Sequence, residues 1–385
     1  MKLRSIFQVL LLSYLISTLI LPTFIANKII FVIVLMLIVI KVKDYKPSTL
    51  SPFYVIILFS YGMFISYFNS VDRDLATQFF LSTLSLLIIY PILEYKIEFE
   101  KYIKISGLIL VIYTLLSFLL IVVYFDSPIS TKFYLFFIEF SAGSNSLREF
   151  TDEGVLSFHT GTAPFIFLTL ILFFESYLSK KRLSILVIIL LHVFVILISG
   201  SRGTFFSSLL AILVLSLLKG SYRIKLALLL LGIPLILYAL TNLLQSTSIF
   251  SSDEGSNSVK IGHFESFIDS RNITNLMFGE GLGSTYYSKG SGMNKAHTEI
   301  TPLDMIRYIG LPFSLLLYSF IVFPSNNLKY YSKKNVAHLI IFLIYLLNSM
   351  TNPTMFNSYG LIVVLWYWYK ILLVDRRIYN NNLVI

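Results

Sequence analysis

Apolar stretches of about 17 to 25 residues, the length that carries a helix across roughly 30 Å of hydrocarbon, recur from one end of this chain to the other. No other feature restricts the fold as strongly. Only 13% of the residues are charged against 56% hydrophobic, where soluble domains carry roughly 25% charged residues. A globule this poor in charge could not cover itself with polar surface. The mean hydropathy of +0.81 agrees. No polar segment exceeds about 55 residues, which leaves no room for a separate globular domain. The expectation is therefore an all-α integral membrane protein forming a single polytopic domain over 1–385.

Spans are predicted near 5–22, 26–41, 50–68, 76–93, 105–125, 162–178, 183–199, 204–218, 226–245, 301–323, 337–352 and 357–374, about twelve in all. The first follows Lys2 and Arg4 like a signal peptide, but no small-residue cleavage site follows it, so it is read as a retained span. Lys and Arg in short loops set orientation. With both termini cytoplasmic, 20 of the 30 basic residues and 6 of the 20 acidic ones fall inside, leaving 10 and 14 outside. The net charge of +10 is thus a topology signal, and nucleic acid is not expected as a partner. Two outer loops are long, 126–161 and 246–300, and a working site belongs there. Within the first, Lys132 to Phe140 is too short to span and reads as an interfacial segment.

There are no cysteines, which removes disulfides, thiolate metal sites and Cys nucleophiles. No metal-ligand constellation and no nucleotide-binding loop is present; neither a metal nor a cofactor is expected. What remains is polar chemistry on the outer side. Ser199-Gly200-Ser201-Arg202-Gly203 is a very short turn between spans. Its Arg202 offers a planar fork of donors suited to phosphate, although a snorkelling arginine is the plainer alternative. In the second loop, Gly279-Glu280-Gly281-Leu282-Gly283 is no dinucleotide fingerprint, because no βαβ unit can surround it; a turn folding back over the bundle is the simpler reading. Thr301-Pro302-Leu303-Asp304 reads as a helix start, with Thr301 as N-cap and Asp304 reaching back. His297 and Glu299 precede it, and both are natural general bases. Arg307, two turns further on, is an intramembrane cation, functional or part of a buried pair. Arg148 stands in the first loop. Glu175 and His192, inside spans, read as satisfied bundle groups.

At these residues the sequence resembles the O-antigen polymerase family, a branch of the O-antigen ligase-like membrane proteins. The Ser-Gly-Ser-Arg-Gly turn, Gly262-His263-Phe264-Glu265-Ser266, Phe278 to Ser284, His297-Thr298-Glu299-Ile300-Thr301 and Asp304 to Leu311 carry the resemblance. It implies a type C glycosyltransferase-like helical fold in the bacterial inner membrane, with the active site facing the periplasm. The implied reaction polymerises undecaprenyl-diphosphate-linked oligosaccharide repeat units without metal or nucleotide. A chain-length regulator is the implied protein partner, and the lipid bilayer the surrounding one. Carried over by position, Arg202 would grip the departing diphosphate. Arg271, Arg307, Arg148 and His263 are further substrate contacts, and His297 or Glu299 would take the proton of the attacking sugar hydroxyl. The related ligases show His followed by Asn, Ser or Gln and, after nine further residues, Gly. Here Thr298 follows His297 and Tyr308 stands at the glycine position, which favours polymerase over ligase. A flippase or transporter of lipid-linked sugars is the reading from another class; internal repeats, expected of a transporter, are not evident. Polymerases often carry an Arg after the Tyr-Tyr-Ser stretch; here Lys289 and Lys295 stand nearby.

Overall fold

The computed structural model describes residues 3–41, 49–69, 71–123, 127–141, 147–149, 156–158, 161–227, 230, 255–270, 272–298, 300–325, 331, 335–350 and 354–382. Apolar helices dominate, as hydrocarbon requires of any backbone that crosses it, and the protein is an all-α membrane protein in its architecture. Long helices are α1 (Leu3–Ile20), α2 (Ile25–Ile40), α3 (Ser51–Ser66), α4 (Arg73–Glu94, with a 3-10 stretch at Leu84–Ile88) and α5 (Phe99–Phe118). α6 (Pro128–Phe140) and the hairpin β1 (Leu147–Glu149)–β2 (Leu156–Phe158) follow in the first long loop. The bundle resumes with α7 (Ala163–Lys180), α8 (Leu183–Ile198), α9 (Arg202–Lys219) and the short α10 (Tyr222–Ala227). The second loop holds α11 (Gly255–Asp269), α12 (Ile273–Phe278) and the hairpin β3 (Tyr286–Ser288)–β4 (Met293–Lys295). Then come α13 (Thr301–Ile309), α14 (Leu311–Val322), α15 (Val336–Ser349) and α16 (Ser358–Asn382).

Four helices among the described residues are long and apolar enough to cross a membrane, namely α1, α4, α5 with its continuation, and α9. α2, α3, α8, α14, α15 and Ser358–Leu373 of α16 are shorter apolar helices. The span predicted over 226–245 lies almost wholly outside the described residues.

α16 is the axis of the bundle. Leu361 to Trp368 are all buried, and a helix that is apolar all round belongs in an interior. The Trp368 indole donates to the Ile321 carbonyl at 2.8 Å, and the Tyr367 ring stacks on Phe342 at 4.1 Å. α2 is the opposite case: Ile25, Ile29, Met36, Val39 and Ile40 are exposed. Such a surface would be anomalous in water and is ordinary against lipid. α6 contains the segment Lys132–Phe140 as a short helix. Phe137 is buried against Phe158 of the hairpin, while Ile129 and Leu135 point outward.

One predicted span is two helices. The 301–323 stretch breaks at Gly310, whose φ is +84°, a conformation glycine adopts without steric cost. Pro312, just beyond, stands in the first turn of α14, where its missing N–H leaves no helical bond unmade. α13 is therefore free to turn away from α14 and join the second loop.

Candidate functional site

The glycine-rich strap 279–284 does what the sequence suggests: it folds back over the bundle. Glu280 and Gly281 donate their backbone N–H groups to the Arg307 and Tyr308 carbonyls, at 2.8 and 3.0 Å, and so satisfy the last carbonyls of α13. Leu282 N–H bonds to the Gly62 carbonyl of α3, and the Ser66 hydroxyl to the Leu282 carbonyl. Gly281 sits at φ +97°, and a Cβ there would lie 2.7 Å from the Ser66 nitrogen. The strap is packed against protein on its glycine face, so these glycines serve the turn.

The strap fixes α13, and α13 carries the main polar constellation. Asp304 is 1% exposed and Arg307 fully buried. An unpaired buried charge is costly, and here the two answer each other: Arg307 Nη2 lies 2.9 Å from Asp304 Oδ1. The other oxygen, Oδ2, takes the Thr298 N–H at 2.8 Å and lies 3.0 Å from His297 Nδ1. Asp304 thus reaches back as expected, but to the loop and to His297. The N-cap is Ile300 rather than Thr301, because the Thr301 hydroxyl is engaged elsewhere, with the Ser349 carbonyl at 2.9 Å. The His297 side chain is 23% exposed and meets the Phe79 ring edge-on at 5.3 Å. The result is a histidine held at Nδ1 by a buried carboxylate, which is held in turn by a buried guanidinium.

The structure separates the residues expected to meet the anion. Arg307 does not face the outer surface. Its donors go to the Ser284 and Ala296 carbonyls and to Asp304, and its guanidinium lies between the Tyr286 and Tyr308 rings at 4.8 and 4.7 Å. It braces the constellation from inside. His263 is also buried, with Nδ1 2.5 Å from the Ser288 hydroxyl; it pins α11 to β3 within the loop. Lys289 is paired with Asp269 at 2.6 Å, and that carboxylate raises its ammonium above the ordinary value. Arg148 lies on β1 opposite Ser157. Arg271 and Glu299 fall outside the described residues.

Arg202 is the exposed first residue of α9, behind Gly200 at φ +61°. Two contacts bring its turn to the same end of the bundle as His297. Two residues on, Thr204 meets Asn348 near the end of α15 at 3.4 Å. The next residue, Ser349, is the one that holds Thr301 at the start of α13. The exposed cation and the partly exposed histidine therefore flank the C-terminal end of α15.

Sequence reasoning did not assign Asp304 its second task, orienting the histidine. The signal was present in the i, i+3 spacing of Asp304 and Arg307 on a helix that opens just after His297. Its meaning depended on the loop curling back over that helix start. The expected bundle groups are satisfied: His192 Nε2 meets the Thr169 hydroxyl at 3.1 Å, and Glu175 meets Lys219 at 2.6 Å.

Among known proteins, the chain is similar to the O-antigen polymerase of Shigella flexneri, with 26% identity over 214 residues, 54% of this chain. It spans about half, 51%, of that relative's length. No family model matches the chain, and no solved structure does.

Proposed function

We propose, from this likeness to an O-antigen polymerase, that the protein polymerises lipid-linked oligosaccharide repeat units, as a glycosyltransferase whose active site faces the periplasm. The growing chain leaves its undecaprenyl diphosphate and joins the non-reducing end of a new unit. In that step the sugar hydroxyl oxygen bonds to the anomeric carbon, and the bond from that carbon to the diphosphate oxygen breaks. The diphosphate departs with the electron pair, and a base takes the hydroxyl proton.

The observation that supports the reading most is the His297–Asp304 contact of 3.0 Å at the edge of the second loop. A carboxylate at Nδ1 favours the tautomer protonated there and leaves Nε2 as the basic nitrogen. A partly exposed imidazole so held suits proton abstraction from a hydroxyl. Glu299, two residues on, is the other candidate for this role. Arg202 is the group for the leaving diphosphate: a guanidinium placed where anionic charge develops lowers the barrier more than it stabilises the ground state. Arg148 and Arg271, in the two long loops, are the further contacts for the substrate's anionic part. A chain-length regulator would meet the same outer face.

The test is deletion of the gene followed by electrophoresis of the surface polysaccharide. A core bearing a single repeat, with the ladder gone and restored by the intact gene, supports the proposal. A bare core with polymer stranded on the carrier would mean a ligase. A bare core with single units stranded on the cytoplasmic side would mean a flippase. A reporter fused after Lys260 should read out the periplasm; a cytoplasmic signal would overturn the orientation.

A further inference from the structure

α9 and α15 run antiparallel. Thr204 meets Asn348 at the His297 end, and Lys219 meets His338 at 3.3 Å at the other. At that other end, the start of α5, the end of α7 and one face of α16 enclose a cavity of about 570 Å³. Lys101, Lys104 and Lys180 line it. So do Ile105 and Leu108, four and seven residues after Lys101 and so on one helix face of α5, and Phe173 of α7.

Two carboxylates also line the cavity, Glu98 and Glu100. Glu100 is engaged elsewhere: Lys370 lies 2.8 Å from it, and the Trp366 indole donates to it at 3.1 Å. Among the described residues no acidic side chain forms an ion pair with Lys101, Lys104 or Lys180. Lys104 donates instead to the neutral Ser176 hydroxyl at 2.7 Å. Three ammonium groups thus share one cavity with Glu98 and with apolar side chains. Like charges held together this way repel unless an anion joins them. Cationic side chains beside apolar ones in one cavity match an anionic phospholipid, whose phosphate adjoins its acyl chains.

We propose that this cavity binds an anionic phospholipid, with its phosphate among Lys101, Lys104 and Lys180 and its acyl chains along Ile105, Leu108 and Phe173. Basic pockets between membrane helices bind such headgroups. The proposal does not depend on the reaction assigned to the other end.

The chain's two tryptophans, Trp366 and Trp368, both lie on α16, and Trp366 touches the cavity wall through Glu100. Their fluorescence therefore reports on the site. The full chain is reconstituted in phosphatidylcholine containing a rising fraction of phosphatidylglycerol with brominated acyl chains. A parallel series uses brominated phosphatidylcholine. The expected result is quenching by the phosphatidylglycerol at a several-fold lower fraction, since each surface lysine is worth roughly fivefold in affinity for anionic lipid. Lys101→Gln with Lys180→Gln, both at exposed positions, should bring the two curves together. Lys101→Arg with Lys180→Arg should keep them apart. Equal quenching by both lipids in the unaltered protein would overturn the proposal. So would an unchanged preference in the glutamine variant or a lost one in the arginine variant. If excess inorganic phosphate reverses the phosphatidylglycerol effect, the occupant is a soluble phosphate and the lipid assignment fails.

Discussion

The two ends of the bundle each join a histidine, a carboxylate and a cation, and they differ in which member meets solvent. At one end His297 is 23% exposed while Asp304 and Arg307 are at 1% and 0%. At the other, His338 is 7% exposed while Glu175 and Lys219 are at 24% and 28%. The same three kinds of group therefore do different work. Burying the charged pair fixes the geometry and presents the imidazole outward, where a substrate proton could reach it. Burying the imidazole and leaving the pair wet produces a helix-to-helix tie among α7, α9 and α15, with little chemistry to offer.

Substitutions can sharpen or break this contrast. The largest effect is expected at the exposed histidine. His297→Ala should cut polymer formation by about 10²- to 10⁴-fold, the usual worth of a general base, at normal protein levels, and His338→Ala should leave the ladder intact. A full ladder from both His297→Ala and Glu299→Ala would place the base elsewhere. Next comes Arg307→Met, which strands Asp304 and should cost about 3 to 5 kcal/mol of stability, read as thermal unfolding in detergent. An unchanged melting temperature would mean the buried pair does not hold α13. Arg202→Lys keeps the charge but loses the fork. A charged hydrogen bond is worth about 1.5 to 3 kcal/mol, so polymer formation should fall roughly ten- to a hundredfold; full-length polymer at a normal rate would rule out the bidentate role. The smallest effect is expected at Lys219→Met, where a partly exposed ion pair should shift stability by no more than about 1 kcal/mol.

How much of this was legible depended on range. The helices could be read from composition because hydrocarbon imposes one length and one polarity on every span. α2, α3 and the apolar part of α16, Ser358–Leu373, lie within a few residues of their predicted positions. The break at Gly310 was signalled by Gly310-Leu311-Pro312 but was overridden by the apolar run around it. The candidate site was legible as a list of residue types and not as an arrangement. His297 and Asp304 stood close in sequence with nothing to show that the carboxylate would leave its helix start for the imidazole. Arg307 could be read as functional or as part of a buried pair, and it is paired with Asp304; its further partners, the Ser284 and Ala296 carbonyls, are backbone groups, which carry no residue signature.

The glycine strap also has a consequence in time. The Tyr61 hydroxyl bonds to the Phe278 carbonyl, that of Ser66 to the Leu282 carbonyl and the Asn69 amide to the Glu280 carbonyl, across 217, 216 and 211 residues. At roughly 5 to 20 residues per second, the ribosome leaves the C-terminal end of α3 waiting on the order of ten to forty seconds for these partners. Until then its polar groups lack the contacts that the finished protein gives them. The seat of α13, and with it the His297 constellation, is consequently among the last parts of the molecule to be assembled, and a chain released before residue 279 would insert most of its helices and still lack it.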